Sequence, residues 1–161
     1  MLHPEQVVFN ELRRLPRSSV PAVLDDVRKL ERKTFAANEV FPFDDNIVGK
    51  HNMIILVALS NTAKPQDLVA YAVGVRWNHQ LLLHKICVAP PHRCKGLGRR
   101  LLQMVIDRAR SWSCRGIDLW VDEANQDARR LYTRHGFKDQ EVVADYYSKG
   151  RNGVKMCRTL E

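Results

Sequence analysis

Six residues near the middle of the chain, Arg93-Cys94-Lys95-Gly96-Leu97-Gly98, have the makings of an anion-binding turn. The pattern R-x-x-G-x-G falls between an apolar β-like run and a helical one. The first turn of a helix presents unpaired N–H groups and a partial positive charge, which together attract anions. Glycines let the backbone wrap closely around phosphate oxygens. The spacing is neither the dinucleotide fingerprint GxGxxG nor the P-loop GxxxxGK[ST]. Arg99 and Arg100 add cations beside the turn, and Arg129, Arg130 and Arg134 crowd a second segment. The formal net charge is +8 and the isoelectric point about 9.6. Two basic clusters flanking one glycine turn suit a local polyanion: CoA, with its pyrophosphate and 3′-phosphate, or RNA.

Two side chains could move protons. His84 lies in a β-like run four residues before Val88, and strict alternation puts Leu82, His84, Ile86 and Val88 on one face. Tyr132 lies in a short helical segment next to Leu131, where a tyrosine is equally at home as a packing residue at a core edge. Glu31 is a third titratable candidate, on the polar face of the first helix. Phe41, Phe43, Asp44 and Asp45 form a loop whose carboxylates could attract a cationic amine at the mouth of a site.

Periodicity supplies the elements that hold these residues. Val7 to Leu15 reads as a first strand or lead-in. Ser18 and Ser19 offer N-caps and Pro21 suits a first helical turn; Val23, Leu24, Val27 and Leu30 then predict an amphipathic helix over 20–34. A short second helix is expected near Asn46 to His51. Met53 to Leu59, Leu68 to Trp77 and Leu81 to Val88 read as strands, the last two as an antiparallel hairpin. A helix from Leu97 to Trp112 follows the glycine turn. A strand spans Ile117 to Val121, and a short helix capped by Asn125 closes at Gly136. Phe137 to Val143 and Val154 to Leu160 form a final pair of strands. Helix, three strands, helix, strand, helix and two strands make a mixed α/β fold, read here as one domain over residues 1–161.

The run Ile86-Cys87-Val88-Ala89-Pro90-Pro91-His92-Arg93-Cys94-Lys95-Gly96-Leu97-Gly98-Arg99-Arg100-Leu101-Leu102 resembles motif A of the GNAT superfamily of acetyl-CoA-dependent N-acetyltransferases. Asn125, Ala128, Leu131, Tyr132, Gly136 and Phe137, spaced N-x-x-A-x-x-L-Y-x-x-x-G-F, resemble motif B. The resemblance covers roughly Met53 to Leu160, while the first fifty residues fit only loosely. It implies a central, mostly antiparallel sheet of about six to seven strands, splayed at the cofactor cleft, with about four flanking helices. It also implies that backbone at Ile86, Cys87 and Val88 holds the pantetheine amides. The N–H groups of Cys94, Lys95, Gly96, Leu97, Gly98 and Arg99, beside the Arg93 side chain, would hold the pyrophosphate. Asn125 would lie near the CoA arm and Tyr132 near the thioester sulfur. Serotonin-type arylalkylamine acetyltransferases are similar in carrying a histidine at the position of His84; they carry another two residues earlier, where this chain has Leu82. Asp145-Tyr146-Tyr147-Ser148 through Val154-Lys155-Met156 resembles the loop-and-strand ending of ribosomal-type and protein N-terminal acetyltransferases, in which paired tyrosines line the path of the substrate.

Transfer from a thioester to an amine requires that the amine lose a proton, that charge on the carbonyl oxygen be stabilised, and that the thiolate leave. A backbone N–H near Val88 can meet the oxygen. Tyr132 is the candidate acid, and His84, Glu31 or water the candidate base. A lysine amine of pKa ~10.4 is neutral in roughly one molecule per few thousand at pH 7, an α-amine of pKa ~7.7–8 in about one per six to ten. The expected acceptor is a peptide α-amine or a lysine side chain, approached past Glu31, Phe41, Tyr146 and Tyr147; a small arylalkylamine or polyamine is the alternative.

Other classes fit less well. No aromatic-interleaved basic stripe or RNP-like motif supports RNA binding. No apolar run approaches the ~20 residues of a membrane span, and Met1-Leu2-His3-Pro4-Glu5 carries neither the charged nor the apolar region of a signal peptide. Four cysteines (Cys87, Cys94, Cys114 and Cys157) form no CxxC pair, so no metal is expected, and reduced thiols in the cytoplasm or nucleus are. A homodimer is compatible with everything above.

Overall fold

A computed structural model describes residues 6–62 and 67–161; the first five residues, read above for a leader, lie outside the described residues. Among the described residues, seven strands form one sheet: β1 (Val7–Glu11), β2 (Met53–Ser60), β3 (Asp67–Trp77), β4 (Gln80–Val88), β5 (Gly116–Asp122), β6 (Lys138–Ser148) and β7 (Arg151–Thr159). Their spatial order is β1-β2-β3-β4-β5-β7-β6. Every neighbouring pair is antiparallel except β4 and β5, which run parallel. Three α-helices cover the sheet: α1 (Val20–Thr34), α2 (Leu97–Ser111) and α3 (Gln126–Arg134). The expected helix near Asn46 to His51 is instead a single 3-10 turn, Ile47–Gly49. Its buried Ile47 anchors a segment too short to offset the cost of helix nucleation.

The two faces of the sheet carry separate apolar layers. On one, Leu101, Leu102, Val105, Ile106 and Ala109 of α2 pack with Tyr132 of α3, Leu81 and Leu83 of β4, and Ile117 and Leu119 of β5. On the other, Val23, Leu24 and Val27 of α1 pack with Phe43, Ile55, Val57, Tyr71 and Cys87. Helix α1 spans the predicted residues, with proline in its first turn, but Ser19 makes no capping bond.

One irregularity organises the site. Val73 of β3 stands opposite Lys85 and Gly74 opposite Leu83, which leaves His84 without a partner. A residue inserted on one strand of an antiparallel pair is a β-bulge; it bends the strand and resets its alternation. Before it, Leu81 and Leu83 face α2; after it, Ile86 and Val88 do, and Cys87 faces α1. The expectation that Leu82, His84, Ile86 and Val88 share a face is therefore incorrect. His84 lies against Phe41 and Lys85 against Phe35, both on the α1 side.

Candidate active site

The parallel pairing of β4 with β5 covers only Gln80 to Leu83 against Gly116 to Leu119. Beyond the bulge β4 bends away, while β5 keeps its ladder with β7 as far as Asp122. Residues 84–88 have no strand partner on that side. A cleft of about 890 Å³ occupies the gap. Its walls come from β4 (Leu82 to Ile86), the end of β5 (Trp120 to Asp122), α3 (Asn125, Ala128 and Tyr132), the β6–β7 hairpin (Tyr146, Tyr147 and Arg151) and the segment after α1 (Phe35, Ala36, Asn38 and Glu39). Both faces of the sheet contribute, so the cleft runs through the sheet rather than lying on it.

At the α2 end, Gly96 is the N-cap and adopts a left-handed conformation, φ 81°. A Cβ there would meet nothing within 4 Å. The glycine is needed for its backbone angle, and the space beside it is open to a ligand. Cys94 is left-handed too, φ 61°. The Arg93 Nε donates to the Val88 carbonyl at 3.0 Å and Lys95 reaches the Pro91 carbonyl at 3.4 Å, which ties the turn to the end of β4. A Cβ on Gly98 would point at Leu131, Val88 and Ile86 at 3.6–4.0 Å, into the seam between α3 and the splayed strand. Protein packing tolerates a methyl there; its absence keeps the seam open.

Helix α3 is set by local chemistry. Asn125 Oδ1 accepts from the Ala128 N–H at 3.2 Å, Asp127 lies in the first turn, and Gly136 at φ 82° ends the helix. Tyr132, two turns in, is 8% exposed, tilts on Phe137 and lines the cleft. Burial pushes its phenol up to about 12, so the proton stays in place at any working pH.

His84 is exposed on the bulge, its ring 4.9 Å from Phe41. Partial desolvation and the neighbouring Lys85 hold its pKa below the ordinary value. Glu31 does not line the cleft. It is fully buried, its carboxylate accepting from the Phe41 N–H at 2.8 Å and from the Tyr71 hydroxyl. The expectation of a substrate contact there gives way to an anchor that pins the 36–43 segment. Phe43 is likewise core, edge-on to Tyr71. Asp45 is held by Arg28 at 2.8 Å and Asp44 by Lys50 at 3.4 Å, so neither carboxylate is free to draw in an amine.

The opposite wall joins the expected Tyr146 and Tyr147 to Trp120, Arg151 and Gly153, which the sequence did not single out. Asp145 is left-handed, φ 55°, and accepts from the Gly150 N–H at 2.7 Å. This irregularity in β6 lets the Tyr146 ring lie across β7 and stack on Trp120, centroids 4.2 Å apart and planes 10° apart. Tyr147 meets Tyr146 edge-on at 4.9 Å. The expected loop carrying both tyrosines is thus strand. The ring rests on Gly153, where a Cβ would fall 2.6 Å from it. Arg151 binds this wall to the rest: its Nε donates to Asp122 at 2.9 Å, its Nη1 pairs with Glu39 at 2.9 Å without hydrogen-bond geometry, and its guanidinium lies 5.2 Å from the Tyr147 ring. Among the described residues no cluster of metal-ligating side chains occurs.

Residues 20–137 match the acetyltransferase (GNAT) family. The chain belongs to that family. It is similar to the streptothricin acetyltransferase of Streptomyces lavendulae, 41% identical over 84 residues, half of this chain and 44% of the relative. It is also similar to N-alpha-acetyltransferase 20 of Dictyostelium discoideum, 25% identical over 123 residues, 74% of this chain and 70% of the relative. The chain spans less than half the length of the curated relatives it matches first. In fold it is similar to the ribosomal-protein-S18-alanine N-acetyltransferase of Escherichia coli, with a TM-score of 0.75, 20% identity, and coverage of 96% of this chain and 94% of that one.

Gly153→Ala should displace Tyr146 from Trp120 and shift the edge strand β6 locally, because the added Cβ would fall 2.6–2.8 Å from the Tyr146 ring and Cβ. The expected result is altered Trp120 fluorescence and a raised KM for the acceptor amine. An unchanged acceptor KM with an altered emission spectrum would show that the aromatic stack is structural only.

Proposed function

We propose that the protein transfers an acetyl group from acetyl-CoA to a primary amine, and that the favoured acceptor is the α-amine of a peptide or protein. The observation that carries the first part is the gap between β4 and β5, with a glycine-opened helix N-terminus at one end and a buried, protonated tyrosine in its wall. The edge of Ile86, Cys87 and Val88 that has no partner in β5 would hold the pantetheine amides, as in a strand pairing, with Arg93 already on the Val88 carbonyl. The N–H groups of Cys94 to Arg99 would hold the phosphates, with Arg93 bracing the turn. The open space at Gly96 and the cleared seam at Gly98 fit a group of this shape. Acetyl-CoA supplies an activated acyl group on a fair leaving group; the protein supplies orientation and proton control.

The acceptor is argued from the bases that are missing. Glu31 is buried and occupied by Tyr71 and Phe41, while Glu39 and Asp122 are both engaged by the one guanidinium of Arg151. His84 remains, and a lowered pKa makes it a weak base. Such a site handles an amine that is already neutral in an appreciable fraction, as an α-amine is, better than a lysine. The stacked Trp120, Tyr146 and Tyr147 offer an apolar wall for the first side chain of a peptide. The likeness to the Dictyostelium protein, named as an N-alpha-acetyltransferase, agrees with this reading. The likeness to the streptothricin enzyme favours a small amine instead. The deciding experiment is turnover with acetyl-CoA across peptides with free and blocked N-termini, peptides with internal lysine, and small amines including streptothricin. Acetylation confined to streptothricin or other small amines would overturn the peptide assignment.

Three variants test the parts. Gly96→Val forces a β-branched residue into a left-handed angle, at about 1–2 kcal/mol, and should abolish measurable acetyl-CoA binding by calorimetry while the chain stays folded. Tyr132→Phe keeps the ring; kcat should fall roughly 10²-fold with little change in KM for acetyl-CoA, since the bond strengthens only as the thiolate forms. A kcat within about threefold of wild type would leave Tyr132 as a packing residue, since acid–base losses run to ~10²-fold. His84 acts as base in its neutral form, and its pKa is lowered, so below the limb set by the acceptor's own amine kcat/KM should show a second acidic break under the ordinary ~6.5, which is lost in His84→Ala. If that second break persists in the variant, His84 is not the base.

A further inference from the structure

Lys85, the residue after the bulge, is a cleft residue that the proposed reaction does not use. Its side chain lines the same cavity as Tyr132 and Asn125. The amine is half-buried, 3.6 Å from the centre of the Phe35 ring. Among the described residues no carboxylate lies within ion-pair distance of it: Glu39, across the cleft, is taken by Arg151, and Glu31 by Tyr71 and Phe41. A lysine on an exposed strand face keeps its ammonium in water; the bulge instead turns this one into the gap, beside the stretch of β4 that has no partner in β5.

We propose that Lys85 is a site of self-acetylation, taking the acetyl group from acetyl-CoA bound in the protein's own cleft. The proposal rests on the acetyl-CoA reading above. Its chemistry is that of any acceptor amine. The neutral Nζ attacks the thioester carbonyl carbon, an N–C bond forms, the C–S bond breaks, CoA leaves as the thiolate, and the proton lost from nitrogen passes to solvent or to that sulfur. Desolvation lowers the pKa of this amine, against the opposing pull of Glu31 and Glu39, so more of it is neutral than of a surface lysine. Confinement beside a bound thioester adds the advantage of a held reactant over a colliding one. The product is a neutral amide on Phe35 in place of a cation. That removes the charge that depresses His84 and that would repel a protonated acceptor.

The test is incubation of the wild-type protein with acetyl-CoA, with samples over time digested and mapped by mass spectrometry, and with acetyl-CoA binding measured in parallel by calorimetry. Lys29, Lys50, Lys138 and Lys149 are exposed and serve as internal references. The expected result is acetylation of Lys85 at least about tenfold faster than of these four, a margin small beside what confinement can give. Excess CoA should suppress it, leaving the slow surface reaction untouched. Lys85→Arg should remove the fast-labelled peptide and nothing else. Binding without preferential labelling would overturn the proposal and leave the acetyl-CoA reading intact. Absence of binding would overturn both. Fast labelling of Lys85 that CoA does not suppress would assign it to solution chemistry and also overturn the proposal.

Discussion

The site depends on one unpaired residue. Two parallel strands hydrogen-bonded along their whole length leave no room between them. By inserting His84 opposite nothing in β3, the chain bends β4 away from β5 after four pairs. The cost is a row of main-chain groups with no strand partner, which would be prohibitive in a closed core. Facing an open gap, the same groups can be met by water or by a ligand. The gap has firm margins because its two sides are held independently: β4 by its ladder to β3, and β5 by its ladder to β7.

Everything else at the site is arranged around that gap by contacts distant in sequence. Glu31 of α1 reaches Tyr71 of β3 and the backbone of Phe41, which fixes the segment that closes one mouth. Arg151 draws together Glu39, Asp122 and Tyr147 from three different stretches. Gly153 gives Tyr146 a seat that no other residue would leave free, and Trp120 completes the stack. The polar groups here are committed to one another. Among the described residues, that leaves Tyr132, Tyr146, Tyr147, His84 and Lys85 as titratable side chains of the cleft without a carboxylate partner.

What the sequence disclosed followed the range of the interactions. The glycine turn and the Asn125 to Gly136 segment are local: caps, left-handed glycines and helical spacing lie within a dozen residues, and both elements formed where the pattern put them. The bulge left no trace, since an inserted residue changes neither composition nor polarity, and alternation carried through it put His84 and Ile86 on the wrong common face. Strand β6 ran five residues past its expected end because nearly all its residues are exposed on an edge and show no alternation. Glu31 looked like part of a polar helix face because its partners lie 10 and 40 residues away. The paired tyrosines of the aromatic wall were legible by resemblance, but their stack on Trp120 was not; its sign in the sequence was the glycine inside the strand at 153, since glycine in a strand often marks a close approach.

The bulge has a bearing on how such a chain can change over generations. Position 84 contributes a side chain to the cleft, yet its part in the architecture is only to be counted. Replacement of the histidine alters the chemistry of the rim and leaves the bend in place. Deletion of that single residue would restore regular pairing, leave the later side chains of β4 on their present faces, and remove the bend that opens the gap. The side chain at 84 and the residue count at 84 are thus separate requirements, the first of the site's chemistry and the second of its shape.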